Sequence, residues 1–393
     1  MAYAERRAEL WPGHDGMNDS VLLLAPHLGG TGGIQASGRL AWDALAATSR
    51  PKLGPVGPRS ILFCYGRPSG IEDTRSVDTA PGGSGEQPGS VIWARSKPRA
   101  VTAALSRRWP VTTVLVWHTS LLKLLPFFGL HGASVALFLH GIESWRRLDW
   151  VTNRMLSRVD LLLSNSNYTV GRFIAVNPEC SGLPCRIVPL GIACPVSHAP
   201  PMPSDPPVAL MLSRLLHSED YKGHRELISA WPLVLQRVPS AELWIVGEGD
   251  LRCDLERLAA GLGIGARVRF WGHVSEAHKE HLLARSRCLV MPSRGEGFGL
   301  VYLEAMRLGR PCLVSTYDAG REVVNPPEAG LAVAPDKPPE LANAICRLLS
   351  LSDEWQRWSE QARVRYELHF TAQQFQHRLR DALQPLTVQA VPR

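Results

Sequence analysis

Cys194-Pro195-Val196-Ser197-His198-Ala199-Pro200-Pro201-Met202-Pro203-Ser204-Asp205-Pro206-Pro207 runs directly into Val208-Ala209-Leu210-Met211-Leu212. Proline fixes φ and lacks an N–H donor, so a run with prolines at 195, 200, 201, 203, 206 and 207 interrupts both helix and sheet and reads as a linker. The apolar pentad after it reads as a buried strand. The same alternation of short apolar runs and helix-compatible segments lies on both sides. Upstream it starts with Val21-Leu22-Leu23-Leu24-Ala25 and a glycine-rich turn, with further strands expected at 61–64, 114–116, 135–138, 161–163 and 187–188. Downstream it continues at 242–246, 268–270, 288–291 and 312–314. Continuous apolar strands separated by helices indicate parallel sheets covered on both faces. The expected fold class is therefore α/β, with two Rossmann-like, doubly wound parallel-sheet domains facing across a cleft. The expected division is a tail over 1–19, a first domain over 20–193, the linker over 194–207, a second domain over 208–365 and a terminal helical segment over 366–393. Ligands bind outside the carboxyl ends of such sheets, which places the site in the cleft.

A length of 393 residues exceeds what one core usually supports, and 45% hydrophobic with 20% charged residues excludes a disordered chain. The net charge is 43 − 36 = +7 and the pI is near 9.1, which favours anionic partners such as nucleotide phosphates, lipid headgroups or nucleic acid. The basic pairs Arg6-Arg7, Arg107-Arg108 and Arg146-Arg147 are scattered and no nucleic-acid signature accompanies them, so nucleic acid is not an expected partner. Eight cysteines without a C-x-x-C pair or metal-ligand spacing fit a reducing cytoplasm. Residues 1–19 lack the apolar segment of a signal peptide, and Lys123, Pro126 and His131 spoil Leu121 to Leu139 as a membrane span. A cytoplasmic protein is expected. Lys123-Leu124-Leu125-Pro126-Phe127-Phe128 admits two readings: a buried helix between strands, the simpler one, or a loop whose cation and aromatics touch an anionic membrane surface at the inner face of the cytoplasmic membrane. Residues 80–90 read as a flexible loop.

Arg294-Gly295-Glu296-Gly297-Phe298-Gly299-Leu300-Val301-Tyr302-Leu303-Glu304-Ala305-Met306 sets two carboxylates eight positions apart, across a glycine-bent loop that enters a helix. Gly297 and Gly299 permit tight turning, and a helix opening near Leu300 aims free N–H groups at an anion. Glu296 then precedes the helix and Glu304 lies about two turns into it. At ~1.5 Å of rise per residue the carboxylates span roughly a diphosphate with its flanking rings. An isolated glutamate beside a capped surface helix would be the bland alternative.

This run resembles the E-x7-E signature of the retaining glycosyltransferases of family 4, which have the GT-B architecture. Ala305, Met306, Gly309 and Pro311, the preceding Met291-Pro292-Ser293 and the following Asp318-Ala319-Gly320-Arg321-Glu322-Val323 extend the likeness. The resemblance implies that Glu296 contacts the donor sugar, that Glu304 holds the ribose, and that Gly299 and Leu300 lie at the phosphates. Arg214, after the first strand of the second half, and Lys222, in Tyr221-Lys222-Gly223-His224 at a helix start, match the family's cation pair on the leaving diphosphate; a bidentate guanidinium and a compact ammonium suit that task. The glycine-rich Leu28-Gly29-Gly30-Thr31-Gly32-Gly33-Ile34 offers Gly32 and Gly33 for close approach of the donor. It is not a dinucleotide fingerprint: from Gly30 the pattern needs glycine where Gln35 stands, and Cys64-Tyr65-Gly66-Arg67 brings no ribose-binding acid.

His140, in His140-Gly141-Ile142-Glu143, is either a packed polar residue or, by resemblance, an imidazole beside the donor sugar. Ser164-Asn165-Ser166-Asn167 lines the cleft in the family, although helix capping accounts for at least one of them. Val274 lies where backbone contacts to the base are expected. Pro189-Leu190-Gly191 departs from the family, where Asn before Gly is common. The resemblance further implies that the terminal helix, 366–386, crosses back to the first domain. It implies a hexosyltransferase using a nucleoside diphosphate sugar, UDP- or GDP-linked, with a sugar or lipid-linked sugar as acceptor, in bacterial polysaccharide or glycolipid synthesis. No cofactor and no metal are expected, since no Asp-x-Asp occurs in the chain. A GT-B epimerase or hydrolase and a non-catalytic sugar-nucleotide-binding protein remain the alternatives.

Overall fold

The computed structural model describes residues 20–30, 32–47, 60–66, 90–106, 108–194, 202–203 and 205–388. The expected tail 1–19, the loop 80–89, and linker residues 195–201 and 204 lie outside them. Among the described residues seven strands form the first sheet: β1 (Val21–Pro26), β2 (Ser60–Tyr65), β3 (Ser90–Ala94), β4 (Thr113–Val116), β5 (Ser134–Leu139), β6 (Leu161–Ser164) and β7 (Cys185–Ile187). Their order is β3-β2-β1-β4-β5-β6-β7, parallel throughout. Six form the second: β8 (Val208–Leu212), β9 (Glu242–Val246), β10 (Val268–Gly272), β11 (Cys288–Met291), β12 (Cys312–Ser315) and β13 (Gly330–Val333), ordered β10-β9-β8-β11-β12-β13 and also parallel. Both orders reverse beside their first strand, as doubly wound sheets do. The result is GT-B: two Rossmann-like domains facing across a cleft.

The first half carries α1 (Gly33–Ala47), α2 (Lys97–Leu105), α3 (Trp150–Leu156) and α4 (Asn167–Val176). The second carries α5 (His224–Arg237), α6 (Arg252–Gly261), α7 (Glu276–Arg285), α8 (Leu300–Met306), α9 (Gly320–Val324), α10 (Pro338–Leu349), α11 (Asp353–His369) and α12 (Ala372–Val388). Alternation along the central strands assigns the two faces. Leu22 and Leu24 of β1 join Val114, Val116 and Leu137 in one core, while Leu23 and Ala25 join Leu115, Ala136 and Phe138 in another. That second core continues without a break through α12 into the second domain.

The end of the chain departs from the single helix expected over 366–386. α11 stops at His369, and the chain restarts at Ala372 after an extended step that pairs with the end of the first domain. Ile192 N–H donates to Phe370 O at 3.1 Å, and Ala372 N–H donates to Ile192 O at 3.0 Å. Thr371 Oγ1 accepts from Gln374 N–H at 3.3 Å, an N-cap that favours a new helix over continuation of the old one. α12 buries Phe375, Leu379, Ala382, Leu383 and Leu386, one apolar stripe at helical spacing. It packs on α1 and β5 of the first domain. Each such side chain contributes up to about 1.5–3 kcal/mol of apolar burial for the larger residues, so the crossover helix is a firm part of the first domain's core.

The strands β3 and β13 were not expected from sequence. The first is an edge strand, half-buried along most of its length, and the second is a four-residue edge strand opening on glycine. β13 is short and opens on glycine, whereas β3 carries the apolar run Val91-Ile92-Trp93-Ala94 and differs from the central strands in its exposure rather than its composition. The Lys123–Phe128 segment belongs to a 3-10 helix, Thr119–Phe127, that tucks Leu125 and Phe128 into the core, while Asp149 holds Lys123 at 2.8 Å. Its aromatics do not form an exposed loop.

Candidate functional site

Each sheet delivers loops to the cleft from the point where its strand order reverses. In the second domain the chain leaves β11 as Pro292–Gly299 and then enters α8. Gly223, at φ +89°, lies against this loop: a Cβ there would overlap the carbonyl of Pro292. Arg294 N–H donates to Tyr221 O at 2.8 Å, so the 221–223 turn and the glutamate loop are stitched together. The stitch brings Lys222 Nζ to 3.2 Å from Glu296 Oε2, with both side chains more than four-fifths buried. Burial opposes the charge on Lys222, but Glu296, Tyr221 and Glu219 around it more than offset this and hold its pKa above the usual value.

Asp318 lies beneath the pair. It is 1% exposed, and its carboxylate accepts from Glu296 N–H at 3.3 Å and Gly320 N–H at 3.0 Å. Burial, with the neighbouring Glu296 charge, pushes its pKa up to about 8. A carboxyl whose folded pKa lies above the unfolded 3.8 binds its proton more tightly in the fold, so its stabilising contribution is present at low pH and is lost as pH rises through about 8. His140 and His224, both held down to about 4 chiefly by burial, act the other way between 4 and 6.5. Between pH 6.5 and 8 the Asp318 effect stands clear of theirs. Thermal melts should show Tm falling across that window, and Asp318→Asn should flatten the fall; an unchanged slope in the variant would remove the buried acid assigned here.

The first domain closes on this loop backbone to backbone. A Cβ on Gly297 would overlap His140 O and come within 2.7 Å of Gly141 Cα. Ser166 Oγ and Thr169 Oγ1 donate to Gly297 O at 3.0 and 3.2 Å, and Ser166 also caps α4 by accepting from Thr169 N–H at 3.1 Å. On α4 itself the Glu322 carboxylate of the second domain accepts from Asn167 N–H at 2.8 Å, Asn167 Nδ2–H at 3.1 Å and Tyr168 N–H at 2.6 Å. A carboxylate on the first N–H groups of a helix satisfies orphan donors and meets the positive end of the dipole. Glu322→Ala removes all three bonds. X-ray scattering should then show a larger radius of gyration, and an unchanged value would mean that other contacts hold the halves together.

His140 stacks on Phe138 with ring centroids 4.6 Å apart, and its Nε2 lies 2.8 Å from Trp117 O. A carbonyl only accepts, so Nε2 carries the proton in the neutral ring and Nδ1 is left as an acceptor, without a partner among the described residues. Glu143 Oε1 accepts from His140 N–H and Gly141 N–H at 2.9 and 3.0 Å, which fixes the turn against Gly297.

The structure thus brings His140, Glu296 and Lys222 to one boundary between the domains. Gly33 and Leu300 also meet there: a Cβ on Gly33 would lie 3.5 Å from Leu300 Cδ1. Gly299, at φ +86°, turns the loop into α8, and Gly32 faces the side chain of Gln35. The helix starts at Leu300 as expected, but Glu304 is its fifth residue and so just over one turn in, not the two expected. It is paired with Lys279 of α7 at 3.0 Å. Burial raises its pKa and Lys279 pulls it back. Val274 is half-buried immediately before the Ser275 cap of α7. Arg214 is the exposed member: its side chain is 71% exposed and ion-paired with Glu219, whose charge also acts on Lys222. Sequence reading assigned no role to Asp318, Glu322 or Lys279. The signal available for the first two was the Asp318–Val323 run itself; for Lys279 there was none, since its partnership with Glu304 arises only where α7 packs on α8.

Among the described residues no group of three or more His, Cys, Asp or Glu is placed to hold a metal ion, and no helix is long and apolar enough to cross a membrane.

Residues 206–351 match the family model for glycosyl transferases group 1. An uncharacterized glycosyltransferase of Methanocaldococcus jannaschii is 36% identical over 146 residues, which cover 37% of this chain and 36% of that protein. The GDP-mannose-dependent alpha-(1-6)-phosphatidylinositol monomannoside mannosyltransferase of Mycobacterium tuberculosis is 30% identical over 249 residues, 58% of this chain and 63% of that one. The chain therefore aligns with less than two thirds of either relative. Among solved structures, sucrose-phosphate synthase from Thermosynechococcus elongatus superposes with a TM-score of 0.71 at 19% identity, covering 94% of this chain and 99% of that chain.

Proposed function

We propose that the protein is a retaining, metal-independent glycosyltransferase of family 4 type that moves a hexosyl group from a UDP- or GDP-sugar to an acceptor hydroxyl. The observation that carries this reading is the Lys222–Glu296 pair, held at 3.2 Å on a loop whose Gly297 touches the His140-Gly141 turn of the opposite domain. In this reading Lys222 and the first N–H groups of α8 take the diphosphate, Glu304 takes the ribose, and Glu296 the hexose. Gly32, Gly33, Gly299 and Leu300 allow close approach, and Val274 flanks the base. His140 offers Nδ1 to a sugar hydroxyl. Arg214 exchanges Glu219 for a phosphate oxygen when the donor enters.

The bond from the anomeric carbon to the diphosphate breaks, and the acceptor oxygen bonds to the same face of that carbon. The acceptor's proton passes to the departing phosphate oxygen. No protein nucleophile is required. The first domain holds the acceptor, a sugar or lipid-linked sugar, and the setting is bacterial polysaccharide or glycolipid assembly in the cytoplasm. The mannosyltransferase likeness supports the lipid-linked class and a GDP-linked donor.

Product analysis tests the reading. A panel of nucleotide sugars with sugar and lipid-linked acceptors, run with and without chelator, should yield a glycoside with the donor's anomeric configuration at equal rates. Inverted product, chelator-sensitive turnover, or nucleotide release without a glycoside would contradict it.

A further inference from the structure

The helix α3 offers a surface that the cleft does not use. Asp149 caps it by accepting from Thr152 N–H at 3.2 Å and Thr152 Oγ1–H at 2.8 Å, and Thr152 and Leu156 face inward. The outward face carries Trp150, 75% exposed, and Val151, 43% exposed. Exposed Arg154 and Arg158 follow Trp150 at four-residue steps, and exposed Arg146 and Arg147 precede the helix. None of these four arginines makes an ion pair among the described residues, and the acid in their midst, Asp149, is taken up by Lys123. An open cavity of about 490 Å³ is lined by Trp150, Asn153, Arg154, Met155, Ser157 and Arg158.

We propose that this α3 face docks the protein on an anionic phospholipid surface. Indole is favoured at the boundary of headgroup and acyl chain, and Val151 beside it extends the apolar contact. Four unpaired guanidiniums match anionic headgroups, and the cavity accommodates one between Trp150 and the arginines. A polyanion without an apolar layer would satisfy the arginines and leave the tryptophan in water, so the combination selects the bilayer. The helix α3 lies between β5 and β6 of the first domain, ten positions along the chain from His140 at the cleft, so a docked enzyme would hold its first domain against the lipid-borne acceptors. That consequence rests on the first domain being the acceptor side; docking itself does not.

Flotation with phosphatidylglycerol-containing vesicles against pure phosphatidylcholine vesicles tests the proposal. The full chain should float with the anionic vesicles, less so as salt is added. Arg154→Glu combined with Arg158→Glu should weaken partitioning ~10-fold or more, and Trp150→Ala should weaken it at every salt concentration. Nucleotide binding, measured on the same samples, should be unchanged and reports that the variants are folded. Equal or absent flotation with both vesicle types, or variants that float like wild type, would overturn docking while leaving the nucleotide-sugar reading intact. Absent nucleotide binding by the wild type with vesicle binding preserved would do the reverse.

Discussion

Glu296→Gln should lower sugar transfer ~10²–10³-fold, the scale of removing one preorganised electrostatic group from an enclosed site, while nucleoside diphosphate binds at least as tightly as to wild type. The two effects have opposite signs for one reason. Lys222 is neutralised by Glu296 at 3.2 Å, so the donor's diphosphate competes with an internal carboxylate for the same ammonium. Replacing the carboxylate by an amide of equal shape frees Lys222 for the phosphates and removes the group proposed to grip the hexose. Calorimetric titration with the nucleoside diphosphate and a steady-state transfer assay separate the two. Loss of diphosphate binding together with activity would mean that the Glu296 carboxylate merely holds Lys222 and the loop in place.

Gly297→Ala should be nearly as damaging for a different reason. The added methyl would collide with His140 O and Gly141 Cα, backbone atoms of the other domain that cannot rotate away. The domains must separate, and a displacement near 1 Å at the reacting centre costs ~10²-fold in rate. A variant with full activity would show that the contact between Gly297 and the His140-Gly141 turn is not part of the working arrangement.

How much of this was legible in the sequence follows from how local each signal is. The central strands β1, β8, β9 and β11 announce themselves because burial on both faces demands unbroken apolar runs such as Val208–Leu212. Ser90–Ala94 and Gly330–Val333 sit at sheet edges, where that demand is relaxed. The glutamate loop is readable because its glycines and acids lie within one stretch. Lys222 meeting Glu296 over 74 residues was suggested only by resemblance, and Glu322 meeting α4 over 155 residues was not suggested at all. Arg214 reads as a phosphate ligand in the sequence, but its pairing with Glu219, five residues on, emerges only from the packing. Burial of Leu125 and Phe128 likewise depends on the neighbouring helices rather than on the segment that bears them. Local chemistry is written in the chain; which charge meets which is decided by packing.

The central claim is that the cleft clamps an activated sugar by its diphosphate and its two rings. Calorimetric titration of a nucleotide-sugar panel into wild type, Lys222→Met and Glu304→Gln, with and without chelator, tests it most directly. At least one nucleotide sugar should bind wild type regardless of chelator and bind each variant ~10-fold or more weakly, as loss of a charge-assisted contact requires. Binding to both variants at wild-type strength, or no binding of any nucleotide sugar to wild type, would contradict it.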